Sequence, residues 1–357
     1  MKTNIKLAWR NIWRNRRRTF ITAASIMFAV ILSTFMEAVQ KGGWDQIIDN
    51  MVSYYFGYAQ IHQDGYWEEQ TLDKAFPLEE NLLNLSEELD KLERVVPRLE
   101  SFALASYDNK TRGVLLIGTK PEVENKMTRL ESRIAQGSYF EAGEEAVLVG
   151  EGVAKILGME LGDTIVLISQ GYHGVNAAGK YPVKGIIKFA SPELNKQLVY
   201  LPLEIAQYFY GAENLVTSLA LQIENKRYTE PVVQQVANKL NDGQYEVMGW
   251  EELLPDLVEA KEMKQSSSKL ISMILYLIIT FGVFGTILMM LKEREYEFGV
   301  LLSIGMRRRK LSSIIWLEIV MLGFIGVLAG MVISVPLVYY FNINPINFSQ
   351  MAEGAGD

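Results

Sequence analysis

Three apolar stretches constrain this chain more than any other feature. Residues 20–39 (FITAASIMFAVILSTFMEAV) carry one charge, Glu37. Residues 270–291 (LISMILYLIITFGVFGTILMML) carry none, and residues 314–341 carry one internal acid, Glu318. A helix needs about 20 residues to cross roughly 30 Å of hydrocarbon. Soluble folds rarely bury a helix this long and this free of charge, so the pattern predicts three membrane spans. No small-residue cleavage motif follows the first stretch, which is therefore read as a span and not as a signal peptide.

Charge supplies an orientation. The net charge of −7 averages unlike regions. Residues 1–19 hold seven Lys/Arg and no acid, and residues 292–313 hold six Lys/Arg against three acids. Residues 40–269 hold 22 Lys/Arg against 35 acids. The basic flanks are Arg10, Arg14, Arg16, Arg17 and Arg18 before the first span, and Lys292, Arg294, Arg307–Arg309 and Lys310 between the second and third. By the positive-inside bias both flanks are expected in the cytoplasm. Residues 40–269 and the tail 342–357 then fall outside. Within residues 1–19, Ile5, Trp9, Ile12 and Trp13 share a helical face, with Lys2, Lys6 and Arg10 elsewhere. This predicts a short amphipathic helix lying in the inner-leaflet interface.

Residues 40–269 read as an α+β domain inserted between two spans. Helices are expected at Pro77–Glu93, where Leu78, Leu82, Leu85 and Leu89 repeat at helical spacing, and at Pro121–Ile134, Gly150–Leu157 and Thr229–Leu240. Strands are expected at Arg98–Asp108 and Gly113–Thr119, as a hairpin turning at Asn109-Lys110, and at Ala146–Val149, Asp163–Ser169, Tyr181–Phe189, Gln197–Leu201, Ser218–Ile223 and Tyr245–Met248. A helix from Glu251 should run through Lys269 into the second span. Residues 121–226 are read as an inner lobe. The chain has no cysteine, which excludes disulfides and cysteine-ligated metal. Its two histidines, His62 and His173, lie far apart in sequence and read as polar surface residues, and no metal site is expected.

The most patterned segment is Lys292–Leu311, KEREYEFGVLLSIGMRRRKL. Acids and bases alternate over Lys292–Glu295. Phe298, Val300, Leu301, Leu302 and Ile304 supply an apolar face, and Gly305 ends it. A peptide this short is marginal as an isolated helix, and it suits docking into a groove on another protein. An ordinary positive-inside loop would need the arginines but not the preceding E-F-G-V-L-L-x-I-G.

On these residues the segment resembles the coupling helix of FtsX-like ABC permeases, whose pattern is close to R-E-x-E-F-G-V-L-x-A-I-G-M-x-R, with Ser303 here where alanine is frequent. Leu7–Thr19 (LAWRNIWRNRRRT) resembles the same family's N-terminus. So does the third span, with Glu318 early and Gly323, Gly326 and Gly330 after it. VLVGEGVAKILGMELGDTIVL (147–167) and LVYLPLEIAQ (198–207) resemble the MacB-type periplasmic domain. The wording is most similar to lipoprotein-releasing permeases.

The resemblance implies a subunit of the bacterial inner membrane that is not itself an enzyme. A separate ABC ATPase would bind ATP and magnesium, and a second permease copy or paralogue would complete the transporter. Residues implied in ATPase coupling are Glu293, Arg294, Glu295, Glu297, Phe298, Gly299, Val300, Leu301, Ile304, Gly305, Met306 and Arg307. Lipoprotein extraction from the inner membrane by mechanotransmission is the leading implied function. MacB-type export of peptides or drugs and FtsX-like regulation of cell-wall hydrolases are the alternatives. A hairpin at Gln170, Gly171, Tyr172, His173, Gly174 and Lys180 would meet a periplasmic lipoprotein carrier. The family has a fourth span, so the chain is read as truncated.

Three further features have plainer readings. Gly174–Lys180 matches the spacing G-x-x-x-x-G-K, but Tyr181 follows where a phosphate loop needs Ser or Thr on magnesium. It is read as a turn between strands ending at Ser169 and starting at Tyr181. Gly326 and Gly330 form a small-xxx-small pair suited to close helix packing, as does Gly323. Glu318 lies near the cytoplasmic edge and is expected to reach headgroups or Arg307–Arg309. Partners are therefore lipid and protein, and nothing points to nucleic acid.

Overall fold

A computed structural model describes residues 2–14, 16–189, 191–240 and 243–344. Contacts gather the chain into two compact units. One is Ile47–Val258, and the other is made of the residues on either side of it.

The flanking unit is helical. An N-terminal helix, Lys2–Arg14, precedes a first long helix, Arg16–Met51, which finishes in a π-helical turn, Val52–Phe56. A second long helix covers Pro255–Glu293, a short helix Glu295–Ser303, and a third long helix Arg308–Ile343. The three long helices are apolar and long enough to cross a membrane, and each contains one of the stretches read from hydropathy. They hold 36, 39 and 36 residues, or roughly 54–59 Å of helix, well beyond the hydrocarbon thickness. The helices thus run on past the apolar stretches, and the compact unit starts at Ile47 and ends at Val258, inside the 40–269 drawn from hydropathy. The tail of residues 345–357 lies outside the described residues.

The third long helix buries Ile314, Glu318, Leu322, Gly326, Gly330 and Ser334, one residue every four and hence one stripe. Gly326 and Gly330 meet the first long helix. A Cβ added to either would sit 2.7 Å from the Cβ of Ile26 or Val30 respectively, so glycine is what permits the approach. Gly323 faces open space and takes no part. The second long helix meets the first through Tyr276, whose hydroxyl lies 2.8 Å from that of Ser33. The N-terminal helix packs on the third long helix. It turns Ala8 and Ile12 inward and leaves Ile5, Trp9 and Trp13 exposed. The apolar face read as one therefore divides, because Ile12 is taken by an intramolecular contact.

The Ile47–Val258 unit is built on strands β1 (Ala59–Gln63), β2 (Phe76–Pro77), β3 (Leu92–Tyr107), β4 (Lys110–Thr119), β5 (Ile134–Gly137), β6 (Val147–Gly150), β7 (Thr164–Gln170), β8 (Asn176–Ile187), β9 (Leu198–Pro202), β10 (Leu215–Val216), β11 (Ser218–Ile223) and β12 (Tyr245–Gly249). Ten of them form one sheet in the order β12-β1-β11-β3-β4-β9-β6-β8-β5, with β7 joining β3 to β8. The ladders β3–β4, β4–β9, β9–β6, β6–β8, β8–β7 and β7–β3 close on themselves, so six strands form a ring without a free edge. β4–β9 and β6–β8 are parallel and the others antiparallel. Strands β5–β11 of the stretch 121–226 share this sheet with β3 and β4 or pair beside it, and the contacts draw no boundary at 121 or 226.

Alternation explains the core. Val114, Leu116, Val147, Val149, Val199 and Leu201 point into one apolar cluster. Their neighbours Ile117, Leu148, Leu198 and Tyr200 point into a second on the opposite face, where Tyr55 joins them. These strands are buried on both faces, hence their continuous apolar runs.

Several local expectations shift. Pro77–Glu93 holds two one-turn helices, Glu80–Leu83 and Leu85–Glu88, and not one longer helix. β3 starts at Leu92 and runs through Pro97. In that half β3 pairs with β11 on one side and its ladder with β4 begins only at Arg98, so a residue without an N–H is tolerated. The hairpin turns at Asp108-Asn109, because Tyr107 pairs with Lys110 and Asp108 takes φ +49°. Arg129, at φ +52°, stops the helix that starts at Pro121, and Ile134 enters β5. β1 and the Asn176–Lys180 part of β8 are strands the sequence did not signal. Leu254 leaves helical geometry and separates Trp250–Leu253 from the second long helix.

Candidate functional site

The candidate site lies at the corner where the second long helix gives way to the short helix. Arg294 stands at that corner outside helical geometry (φ −102°, ψ 9°). Its Nη1 donates to both carboxylate oxygens of Glu318, at 3.0 and 3.2 Å. Its Nε donates to Glu297 at 3.3 Å, and its guanidinium lies over the Phe298 ring at 5.1 Å. Arg14 of the N-terminal helix completes the chain of charges, donating to Glu297 Oε1 at 2.7 Å and also to Oε2. That hydrogen bond holds the Glu297 carboxyl below the usual carboxylate range. The result is an alternating series, Arg14–Glu297–Arg294–Glu318, that links three helical elements.

Burial makes the inner pair demanding. Glu318 is 1% exposed and Arg294 9%. A lone carboxylate at such a place would cost several kcal/mol, so the pair is held together by what either charge would lose alone. The expected contact of Glu318 with headgroups or Arg307–Arg309 is thus corrected. Its ion-pair partner is Arg294, whose chain folds back at the helix corner.

The short helix shows how the remaining residues are presented. Every residue of Glu295–Ser303 stays at least partly exposed. Glu293, Glu295, Glu297, Gly299, Val300, Ile304, Gly305 and Arg307 are exposed, while Phe298, Leu301 and Met306 are half-buried. Val300 is 41% exposed and Ile304 78%. Gly305 ends the helix at φ +99°. Its N–H bonds the Leu302 carbonyl and the Met306 N–H that of Leu301, both at 3.0 Å, closing a Schellman motif that a Cβ would strain. A cleft of about 520 Å³ lies between the N-terminal helix, the short helix and the start of the third long helix, with Leu7, Asn11, Phe298, Leu301 and Ile315 among its walls.

The proposed partner hairpin is arranged differently from the expectation. Gln170 ends β7, Gly171–Val175 make the turn, and Lys180 sits within the ladder opposite Val166. Gly179-Lys180 is strand, so the G-x-x-x-x-G-K spacing forms no phosphate loop. β8 begins at Asn176 because Ala177, Ala178 and Gly179 pair with β7. Such small side chains carry little strand signal in sequence. The turn is tied down at two points. His173 N–H donates to Asp73 at 3.1 Å, and a Cβ on Gly171 would sit 2.4 Å from the Tyr210 carbonyl oxygen.

Sequence reasoning missed a buried charge cluster in the Ile47–Val258 unit. Arg98 is fully buried and donates to both oxygens of Glu124, at 2.9 and 2.7 Å. It also donates to the Tyr55 carbonyl at 2.5 Å and reaches Glu100 at 3.5 Å. The Tyr55 hydroxyl donates to Glu100 at 2.9 Å, and Thr119 donates to Glu124 at 2.9 Å. Burial raises the Glu100 carboxyl above the usual range, with Arg98 and Tyr55 opposing. The cluster thereby clamps the turn Val52–Phe56 to β3. Its sequence signal was the pair Arg98 and Glu100, two residues apart and hence on one face of a strand. His62 is also buried, and not at the surface. It lies in β1 between β11 and β12, with Nε2 2.8 Å from Gln60. Burial pushes its pKa down to about 3, so the ring is neutral.

Comparison with known proteins agrees with this architecture. Residues 19–239 match the family model for the MacB-like periplasmic core domain, and residues 269–354 that for the FtsX-like permease C-terminal region. The chain is 23% identical over 265 residues to the lipoprotein-releasing system transmembrane protein LolC of Neisseria meningitidis serogroup B, covering 72% of this chain and 64% of that protein. It is 25% identical over 354 residues to the pyoverdine export ATP-binding/permease protein PvdT of Pseudomonas syringae pv. tomato, covering 93% of this chain and 51% of that protein. The chain therefore spans about half to two thirds of the length of these relatives. The periplasmic region of MacB from Actinobacillus actinomycetemcomitans aligns with 56% of this chain and 92% of its own, at 13% identity and a TM-score of 0.39. With its family model covering more than half of the chain, this protein belongs to the MacB-like periplasmic core domain family and carries an FtsX-like permease C-terminal region.

Proposed function

We propose that this chain is the membrane subunit of an ABC transporter, driven by a separate ATPase that docks on Glu295–Ser303. The observation that carries the reading is a nine-residue helix whose every residue stays at least partly exposed, held between two apolar helices long enough to cross a membrane. Such a helix is marginal alone, and an exposed face containing Val300, Leu302 and Ile304 suits a groove on a partner. In this reading the partner binds ATP and magnesium, a second permease copy or paralogue completes the transporter, and the N-terminus faces the cytoplasm of a bacterial inner membrane.

The cargo we propose is lipoprotein, released from the membrane by motion of the outer domain, with the Gln170–Lys180 hairpin region meeting a periplasmic carrier. Likeness to LolC supports it. A second reading is export of peptides or drugs, favoured by the fuller coverage of this chain by PvdT. Depletion of the protein followed by membrane fractionation separates the two. Acylated lipoproteins accumulating in the inner membrane support release, whereas an unchanged distribution rejects it and leaves export or regulation of cell-wall hydrolases.

A further inference from the structure

We propose that Arg294 and Glu318 are positioning residues that, with Arg14 and Glu297, hold the short helix, the N-terminal helix and the third long helix together so that they move as one body. The inference rests on the reading that Glu295–Ser303 docks a partner ATPase, and it assigns the means by which a push on that helix is passed on.

The short helix cannot position itself. It has nine residues, and its exposed apolar face offers no core of its own. Its C-terminal end leaves through Gly305, a turn without a side chain to pack. The fixed points lie at the N-terminal end. Arg294 reaches Glu318 on the third long helix and Glu297 in the first turn of the short helix. Glu297 is in turn held by Arg14. The contacts grade from a pair sealed from solvent (Glu318, 1% exposed) to one at the surface, Arg14–Glu297. An exposed pair contributes little on its own. The rigidity of the corner therefore lies in the inner pair, and the outer pair extends it to the N-terminal helix. Arg294 suits the post because one planar guanidinium satisfies two carboxylates in different directions and lies over Phe298, which a lysine ammonium would not do.

The test uses the full chain in lipid nanodiscs. The chain has no cysteine, so Lys6→Cys with Ser303→Cys places one spin-label pair across the N-terminal and short helices. One narrow distance population is expected with the charges intact. Glu318→Gln is expected to broaden it, and Glu318→Asp, which keeps the charge facing Arg294, to leave it narrower than Glu318→Gln does. A distribution unmoved by Glu318→Gln overturns the proposal, and so does one that Glu318→Asp broadens as far as Glu318→Gln. Should Glu318→Gln fail to accumulate, Arg294→Lys gives the same readout, and an unbroadened distance there also overturns it. In the complex, Glu318→Gln should retain the ATPase on purification while permease-dependent turnover falls about tenfold or more. Turnover equal to that of the unaltered complex overturns the proposal. If the unaltered chain retains no ABC ATPase, the proposed function falls, and the coupling role inferred here falls with it.

Discussion

Arg98→Met in the Ile47–Val258 unit tests the buried cluster most directly. The substitution keeps a long apolar side chain but removes the donor to both oxygens of Glu124, to Glu100 and to the Tyr55 carbonyl. Glu124 is 0% exposed and Glu100 6%, so two carboxylates would be left in the core without a cation. Breaking a buried pair from one side costs about 3–5 kcal/mol. At 2–4 °C per kcal/mol for a unit of this size, Tm should fall by roughly 6–20 °C. The assay is thermal unfolding of the isolated 47–258 fragment followed by circular dichroism, and the unsubstituted fragment is expected to unfold cooperatively. The pH dependence carries a second signature. The folded-state pKa of Glu100 is already raised by burial, and losing Arg98 raises it further. A carboxyl raised in the folded state contributes fully below its unfolded pKa, and that contribution is lost as pH rises through the folded value. The deficit of Arg98→Met should therefore be larger at pH 8 than at pH 5. Replacing Glu100 and Glu124 by glutamine in the same chain should recover most of it, since no charge is then left unpaired. A Tm shift below about 2 °C, or a deficit equal at the two pH values, would refute the argument.

Other perturbations have similarly defined outcomes. Gly326→Val or Gly330→Val should destabilise the detergent-solubilised chain by about 1–3 kcal/mol, because Ile26 and Val30 occupy the space, whereas Gly323→Ala should be neutral; equal effects in a thermal aggregation assay would reject the packing assignment. His62 has a folded-state pKa depressed to about 3, so its contribution is complete above its unfolded pKa of ~6.5 and shrinks by about 1.4 kcal/mol per unit as pH falls from there toward 3. His62→Gln should flatten the acid limb of the fragment's stability profile, and an unchanged slope would show that other groups set it. Phe298→Ala and Gly299→Pro should abolish co-purification of the ATPase while leaving membrane insertion intact, and wild-type yields of the complex would exclude Glu295–Ser303 as the docking element.

The spans and the short patterned segment were legible because their signals are local. Twenty or more apolar residues with at most one charge mark a membrane span from composition alone, and Gly305 stops a helix by its own φ. The ladder around Leu115–Thr119 and Leu198–Pro202 was also legible, since strands buried on both faces are apolar throughout. β1 escaped notice because AQIHQ has weak strand propensity and is a strand only through its partners β11 and β12. The start of β8 escaped for the same reason. His62 reads as a surface residue until those two neighbours enclose it.

The three apolar helices, the α+β character of the insert and the patterned stretch Lys292–Leu311 with its stop at Gly305 follow from composition and period within a few turns of chain, whereas the break at Arg294 that starts the short helix at Glu295 does not. Only the tertiary structure decided which charges meet. Arg294 and Glu318 are separated by 24 positions, Arg14 and Glu297 by 283, and Arg98 and Glu124 by 26. Partner choice among many acids and bases depends on where backbone geometry places them, and on which of them lose water in the process. A carboxylate that keeps its hydration needs no particular cation, whereas one stripped of it is stable only beside the cation that the fold supplies.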